Sequence, residues 1–244
     1  LIFGPRFGVA SRFEISIGLL DAHPMIDLAR RIELMLVRPD TTRADVAQLC
    51  QQARELNACG ICVVPDRVEQ TLAQLEDTEI KIVALVGFPL GSTDTDTKRF
   101  ETETAVDFGA QEIEIALNVG RLKDGDQDRV LRELRDIVEA ADERPVRLAL
   151  ESRLLTREEI VTACHLALDA GVAGVANSTG RNGFAADAED VRLLCEAIGQ
   201  KHFVKATGQI TSTAEAQALI NAGADRLGLT DASFLGPMDL HARR

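Results

Sequence analysis

Eight short apolar runs recur along the chain: IELMLV (32–37), GICVVP (60–65), IKIVALVGF (80–88), EIEIAL (112–117), VRLALE (146–151), GVAGVA (171–176), HFVKA (202–206) and DRLGLT (225–230). They are nearly continuous and do not alternate strictly with polar residues. That pattern predicts strands covered on both faces, as in a parallel sheet.

Helical periodicity fills the intervals. Between Thr42 and Leu56, apolar Val46, Leu49, Cys50, Ala53 and Leu56 fall on one helical face, and Thr42 with Asp45 supplies an N-cap and an acidic first turn. Thr156 with Glu159 and Ser212 with Glu215 have capping-box spacing before amphipathic runs. Gly60, Gly109, Gly171 and Gly223 follow helical stretches and are expected to end them in the left-handed conformation.

About eight strand-then-helix units, with no break in composition, predict one α/β domain, a (β/α)8 TIM barrel over residues 30–244. A doubly wound open sheet is the alternative. No strand is followed by G-x-G-x-x-G or a Walker lysine, so no nucleotide cofactor is expected. Residues 1–29 form an N-terminal extension. Phe3, Phe7, Phe13, Ile15 and Ile17 make it too apolar for a free tail, so it is expected to cover the barrel bottom or join a subunit interface, with a homodimer as the assembly. Leu1 is not a natural start, and the chain is read as trimmed or internal to a longer frame.

Charge narrows the function classes. With 39 acidic against 27 basic residues, the net charge is -12, which argues against nucleic acid as a partner. No apolar run approaches the roughly 18–20 residues of a membrane span, so a cytoplasmic protein is expected. The five cysteines are odd in number and lack a secretory context. Cys59 and Cys62 form a C-x-x-C with no second ligand pair, and buried strand cysteines are the expectation. The four histidines are scattered without ligand spacing, so no metal is expected, and the absence of Tyr rules out a tyrosine proton shuttle.

In a TIM barrel, chemistry sits at the C-terminal ends of the strands. Strand four ends in Glu114 and then Asn118. Strand six runs into Asn177-Ser178-Thr179-Gly180-Arg181, and Lys205 is the one lysine inside an apolar strand near its C-terminal end, ahead of Thr207 and Gly208. Glu151 ends strand five and Cys62 strand two. Glu114 is expected to face Lys205 across the barrel.

Those stretches also carry a resemblance. VGFPLGSTDTDTKRFETETAVDFGAQEIEIALNVGRLKDGD, NSTGR, VKATGQITSTAEAQALINAGADRLGL, RPDTTRADVAQLC and ICVVP together are similar to the deoxyribose-phosphate aldolase family, in the right order from Ile32 to Gly228. The resemblance implies a metal-independent TIM-barrel lyase that cleaves 2-deoxyribose 5-phosphate through a lysine Schiff base. Where that family has Lys-Thr-Ser-Thr-Gly, however, this chain has Ala176-Asn177-Ser178-Thr179-Gly180, so the nucleophile's position is an alanine. The family's strand-four aspartate matches Glu114, its strand-seven lysine matches Lys205, and its cysteine matches Cys62. Its Asp-His-Thr-Leu-Leu-Lys-Pro corresponds to Glu33-Leu34-Met35-Leu36-Val37-Arg38-Pro39.

The family's phosphate loops would map onto Gly180, Gly208, Gly228 and Thr230, with Arg181 adding charge; Gln209 and Asp231 depart from its pattern. In that family two ammonium groups lie close together. At about 4 Å and an effective dielectric near 20 their repulsion is worth roughly 4 kcal/mol, or about 3 pK units, which keeps one amine neutral. Ala176 removes that repulsion. Lys205 is therefore read as an ammonium that stabilises an enolate, with Glu114 as acid and base. The expected substrate is a small carbonyl or sugar-like compound, phosphorylated or not. Cys62, Asn118, Glu151, Asn177, Thr179, Gly180, Arg181, Thr207, Gly208, Gly228 and Thr230 would line the site. The alternative is a non-catalytic relative that binds a ligand or partner.

Overall fold

Each apolar run becomes a strand whose two faces are both covered, and the strands close on themselves in sequence order. The computed structural model describes residues 28–181 and 183–235. Within them β1 (Ile32–Leu36), β2 (Gly60–Val63), β3 (Lys81–Val86), β4 (Glu112–Ala116), β5 (Val146–Ala149), β6 (Gly174–Ala176), β7 (Phe203–Thr207) and β8 (Arg226–Leu229) form a closed parallel barrel. The helices α1 (Arg43–Leu56), α2 (Val68–Leu75), α3 (Thr95–Asp107), α4 (Val119–Lys123), α5 (Gln127–Ala140), α6 (Arg157–Asp169), α7 (Ala188–Ile198) and α8 (Thr213–Asn221) follow the strands. This is the expected TIM barrel, not an open sheet. Of the expected N-terminal extension, only Leu28 and Ala29 fall among the described residues, and both are buried.

Strand residues sort by parity into two apolar clusters. Ile32, Leu34, Ile61, Ile82, Ala84, Ile113, Ile115, Leu148, Val175, Val204 and Leu227 belong to the large core that includes the helices. Met35, Val37, Cys62, Val83 and Leu85 form a separate cluster, with Phe88 against it. The side-chain period of two separates these clusters even though the sequence runs look uniformly apolar. The register places the inward positions side by side: Glu114 pairs with Arg147, Ala149 with Ala176, and Ala176 with Lys205.

The helix signals act largely as read. Thr42 with Asp45 and Thr156 with Glu159 make reciprocal capping boxes. Ser212 accepts from the Glu215 amide, but the Glu215 carboxylate turns to the Thr211 amide at 2.7 Å, so the return bond is shifted by one residue. Gly109, Gly171 and Gly223 have positive φ. Gly60 departs from expectation, because α1 ends on left-handed Asn57 (φ 55) and Gly60 is already strand. A Cβ at Gly60 would stand 3.1 Å from the Lys81 carbonyl oxygen and 3.4 Å from Glu33 Cγ, so close packing is the reason for that glycine. The run GVAGVA also yields a strand only over its last three residues.

A buried ionic strut holds the C-terminal end of β4. Lys98 on α3 donates to the Ala116 carbonyl at 3.0 Å and to Glu133 on α5 at 2.6 Å. Arg121 on α4 reaches the other Glu133 oxygen at 3.0 Å. Burial draws the Lys98 pKa down, and Glu133 opposes that shift.

Glycine substitution tests the tightness of this end of the barrel. Gly91 has φ +66, and a Cβ there would run into the Leu117 carbonyl oxygen, whereas Gly125 has φ +76 with nothing within 4 Å. Gly125→Ala should cost about 1–2 kcal/mol from the left-handed backbone alone. Gly91→Ala should cost more, because a backbone clash is added. Urea unfolding of the two variants checks the order.

Candidate active site

Charged residues stand at inward positions of the strands: Glu33 on β1, Glu112 and Glu114 on β4, Arg147 on β5, Lys205 on β7 and Arg226 on β8. Glu33, Glu114, Arg147 and Lys205 are all 1% exposed or less. A lone charge there would be prohibitive, so the group has to neutralise itself. It consists of three carboxylates and three cations. Arg147 donates from Nη1 and Nη2 to the two Glu33 oxygens, each at 3.0 Å, and from Nε to Glu114 Oε2 at 2.6 Å. Arg226 donates to both Glu112 oxygens at 2.6 and 3.0 Å and also reaches Glu33. Both guanidinium groups lie over the Phe203 ring, 5.2 and 5.1 Å from its centre, which adds cation–π attraction.

Lys205 sits above that base. Its Nζ is 2.8 Å from Glu33 Oε2, 2.9 Å from Glu114 Oε2 and 3.3 Å from Cys62 Sγ. Burial by itself would depress the lysine, but its neighbours overrule burial and raise its pKa above the ordinary value. Cys62 is a neutral thiol, because burial pushes it well above the usual thiol range. The two carboxylates therefore hold the ammonium. Burial would also raise Glu33, but Arg147, Lys205 and Arg226 together carry it well below its ordinary value. Among the described residues, Glu33, Cys62 and Glu114 have donor atoms within 4.8 Å of one another. The Lys205 ammonium already lies against all three as their cation.

Two buried side-chain oxygens lack a hydrogen-bond partner among the described residues, Glu114 Oε1 and Thr207 Oγ1. Such orphaned acceptors are rare in a packed interior. Glu114 is the middle residue of β4 and Thr207 the last of β7.

The remaining expected site residues divide between the interior and the loops. Asn177 uses both ends of its amide on the Thr207 backbone, donating to its carbonyl at 3.0 Å and accepting from its amide at 2.7 Å. Glu151, with φ 59, accepts from the Thr179 amide at 2.7 Å and from the Thr179 hydroxyl. Asn118 caps α4 by accepting from the Arg121 amide at 3.1 Å. Arg181 and Thr230 are exposed, and Asp231 accepts from the Ser233 amide at 2.8 Å.

The three glycines expected at a phosphate site have the space beside them filled by this chain. A Cβ at Gly180 would stand 2.8 Å from Thr207 Cγ2, and one at Gly208 would stand 2.6 Å from the Ala186 nitrogen. At Gly228 it would stand 2.5 Å from Lys205 Cε and Thr207 Oγ1 and 2.7 Å from Met35 Sδ.

Comparison with known proteins then decides the family. A model described as DeoC/LacD family aldolase matches residues 30–230. The chain belongs to the DeoC/LacD family of aldolases. It is 39% identical over 202 residues to a deoxyribose-phosphate aldolase of Clostridium perfringens, covering 82% of this chain and 90% of that one. It is 40% identical over 203 residues to one of Mycoplasma capricolum, covering 83% and 91%. The solved deoxyribose phosphate aldolase of Aeropyrum pernix, described as a tetramer, superposes with a TM-score of 0.80 at 27% identity, covering 86% of this chain and 89% of that one. No helix among the described residues of this aldolase-family chain is long and apolar enough to cross a membrane.

Sequence reasoning found Lys205 and Glu114 but not the roles of Arg147, Arg226 and Glu112. For Arg147 the signal was present, a charge between Val146 and Leu148 inside a strand run, whereas Glu112 and Arg226 open their strands after Gln111 and Asp225 and read as ordinary polar strand starts.

Arg147→Met should cost about 3–5 kcal/mol, because it leaves Glu33 and Glu114 short of a counter-charge in the interior. The lowered Glu33 pKa contributes stability that is full above the ordinary glutamate range and is lost as pH falls through the depressed folded value. Removing Arg147 raises that folded value, so acid unfolding of the variant, followed by circular dichroism, should begin at higher pH.

Proposed function

We propose that this aldolase-family barrel works on a small carbonyl or sugar-like substrate without forming an imine. The observation that carries the reading is the Lys205 ammonium bound to Glu114 at 2.9 Å and to Glu33 at 2.8 Å. An amine held protonated cannot attack a carbonyl, but it can stabilise an oxyanion. Ala176, at the position where the sequence motif places the family's lysine, carries no amine, and its register pairs it with Lys205.

The chemistry then divides between two side chains. Glu114, through the Oε1 that has no hydrogen-bond partner among the described residues, takes a proton from the carbon next to the carbonyl or from a β-hydroxyl. In the first case the C–H electron pair moves to form the enolate; in the second the alkoxide collapses to a carbonyl and the carbon–carbon bond breaks. In both, negative charge arrives at the carbonyl oxygen, where the Lys205 ammonium holds it. Glu114 then returns the proton to carbon. Enolisation and retro-aldol cleavage share these steps; in dehydration the enolate instead expels the β-hydroxyl, which takes the proton from Glu114 and leaves as water. The second reading, a non-catalytic ligand-binding relative, is favoured by the complete burial of both Lys205 and Glu114.

Deuterium exchange next to the carbonyl of short aldehydes and ketones, followed by NMR in heavy water, separates the two. The wild type should exchange faster than Glu114→Gln by about 10²–10⁴-fold, the usual contribution of a general base. Equal rates across the substrates would leave the non-catalytic reading.

Cleavage of 2-deoxyribose 5-phosphate should be weak or absent, and borohydride with acetaldehyde should trap no adduct on Lys205. A stoichiometric adduct there would restore the imine mechanism. Ala176→Lys adds a fourth cation to three carboxylates, and repulsion should lower one amine by about 3 pK units. Borohydride trapping should then become detectable at position 176.

A further inference from the structure

Lys205, Glu114 and Cys62 are 0% exposed, so a ligand reaches them only if something inside the barrel moves. Two adjacent features mark the place. The Met35 thioether, itself 1% exposed, leads the separate apolar cluster of Val37, Cys62, Val83 and Leu85. Its Sδ lies 2.7 Å from the point where a Gly228 Cβ would stand, and Lys205 Cε and Thr207 Oγ1 are each 2.5 Å from that same point. Met35 thus closes over the lysine stem beside a buried hydroxyl that has no hydrogen-bond partner among the described residues.

We propose that Met35 is the specificity-determining gate of this barrel, and that it admits short, unphosphorylated carbonyl compounds to the Lys205–Glu114 pair. This deepens the reading of that pair as the reacting groups. Among its neighbours Met35 is the one able to move cheaply. Its unbranched side chain has three rotatable bonds, whereas Val37 and Val83 are β-branched and stiff. Swinging it aside uncovers Thr207 Oγ1, which gains a hydrogen-bond partner in an entering carbonyl or hydroxyl group. The cation nearest to Met35, Lys205, is already held by the Glu33 and Glu114 carboxylates, which would repel a phosphate dianion entering beside it.

Cys62, 3.3 Å from Lys205 Nζ, is a built-in reporter of access that does not depend on turnover. Labelling by methyl methanethiosulfonate, mapped by peptide mass, should be slower at Cys62 than at the partly exposed Cys195. Met35→Ala should raise the Cys62 rate about tenfold or more by removing the plug, and Met35→Leu should leave it nearly unchanged. Acetaldehyde should slow Cys62 labelling in the wild type, whereas 2-deoxyribose 5-phosphate should do so only in Met35→Ala. Equal Cys62 rates in wild type and Met35→Ala, or protection of the wild type by the sugar phosphate, overturn the proposal. If the alanine variant does not fold, a ladder of thiol reagents of increasing size on the wild type still decides. A steep fall in Cys62 rate with size supports the gate, and a flat response overturns it. Absence of deuterium exchange in every variant would refute the acid–base reading while leaving the labelling result to judge the gate.

Discussion

Among the described residues, six charged side chains meet inside this barrel in a space that largely excludes water, and the rest of the site depends on their mutual neutralisation. Arg147 is the centre of that arrangement, because its fork spans β1 and β4 by binding Glu33 and Glu114 together. The pairs are not themselves a strong source of stability, since desolvation offsets much of their attraction. What they supply is position. Each carboxylate has its orientation fixed by a cation on another strand, so the Lys205 ammonium is held by a rigid cage and not by one flexible partner.

That cage determines which chemistry is open to the lysine. Burial and the nearby Arg147 both push Lys205 toward the neutral amine, but its contacts with two carboxylates, at 2.8 and 2.9 Å, outweigh them. The same contacts that rule out nucleophilic attack suit the ammonium to oxyanion stabilisation. Glu114 meets its two cations through Oε2 and leaves Oε1 over, so one carboxylate serves both as a strut and as the base in the proposed reaction.

Packing explains features that a motif comparison assigns to ligand binding. Gly228 is required by the approach of Lys205, Thr207 and Met35, and Gly208 by the approach of the Phe184–Ala186 backbone. Asn177 and Glu151 are committed to backbone and hydroxyl groups of neighbouring strand ends. These bonds weld β5, β6 and β7 together where the barrel opens. Motion needed for access is thereby concentrated in side chains such as Met35.

The sequence by itself determined the barrel. Eight apolar runs, alternating with helical periodicity and bounded by caps such as Thr42 and Thr156, admit few other arrangements, because each element carries its own period and its own ends. It also singled out Lys205 and Glu114, since a charge inside an apolar strand is conspicuous. Tertiary structure decided the rest. Whether Lys205 faces a cation or a carboxylate depends on contacts with Glu33, 172 positions away, and on Arg147, whose own partners lie on β1 and β4. The left-handed end of α1 at Asn57 and the crowding at Gly60 and Gly228 likewise follow from what stands opposite each backbone. Local pattern encodes periodicity and sign of charge; pairing among distant charges and the filling of space require the closed barrel, because they are properties of neighbours that the chain brings together only when it folds.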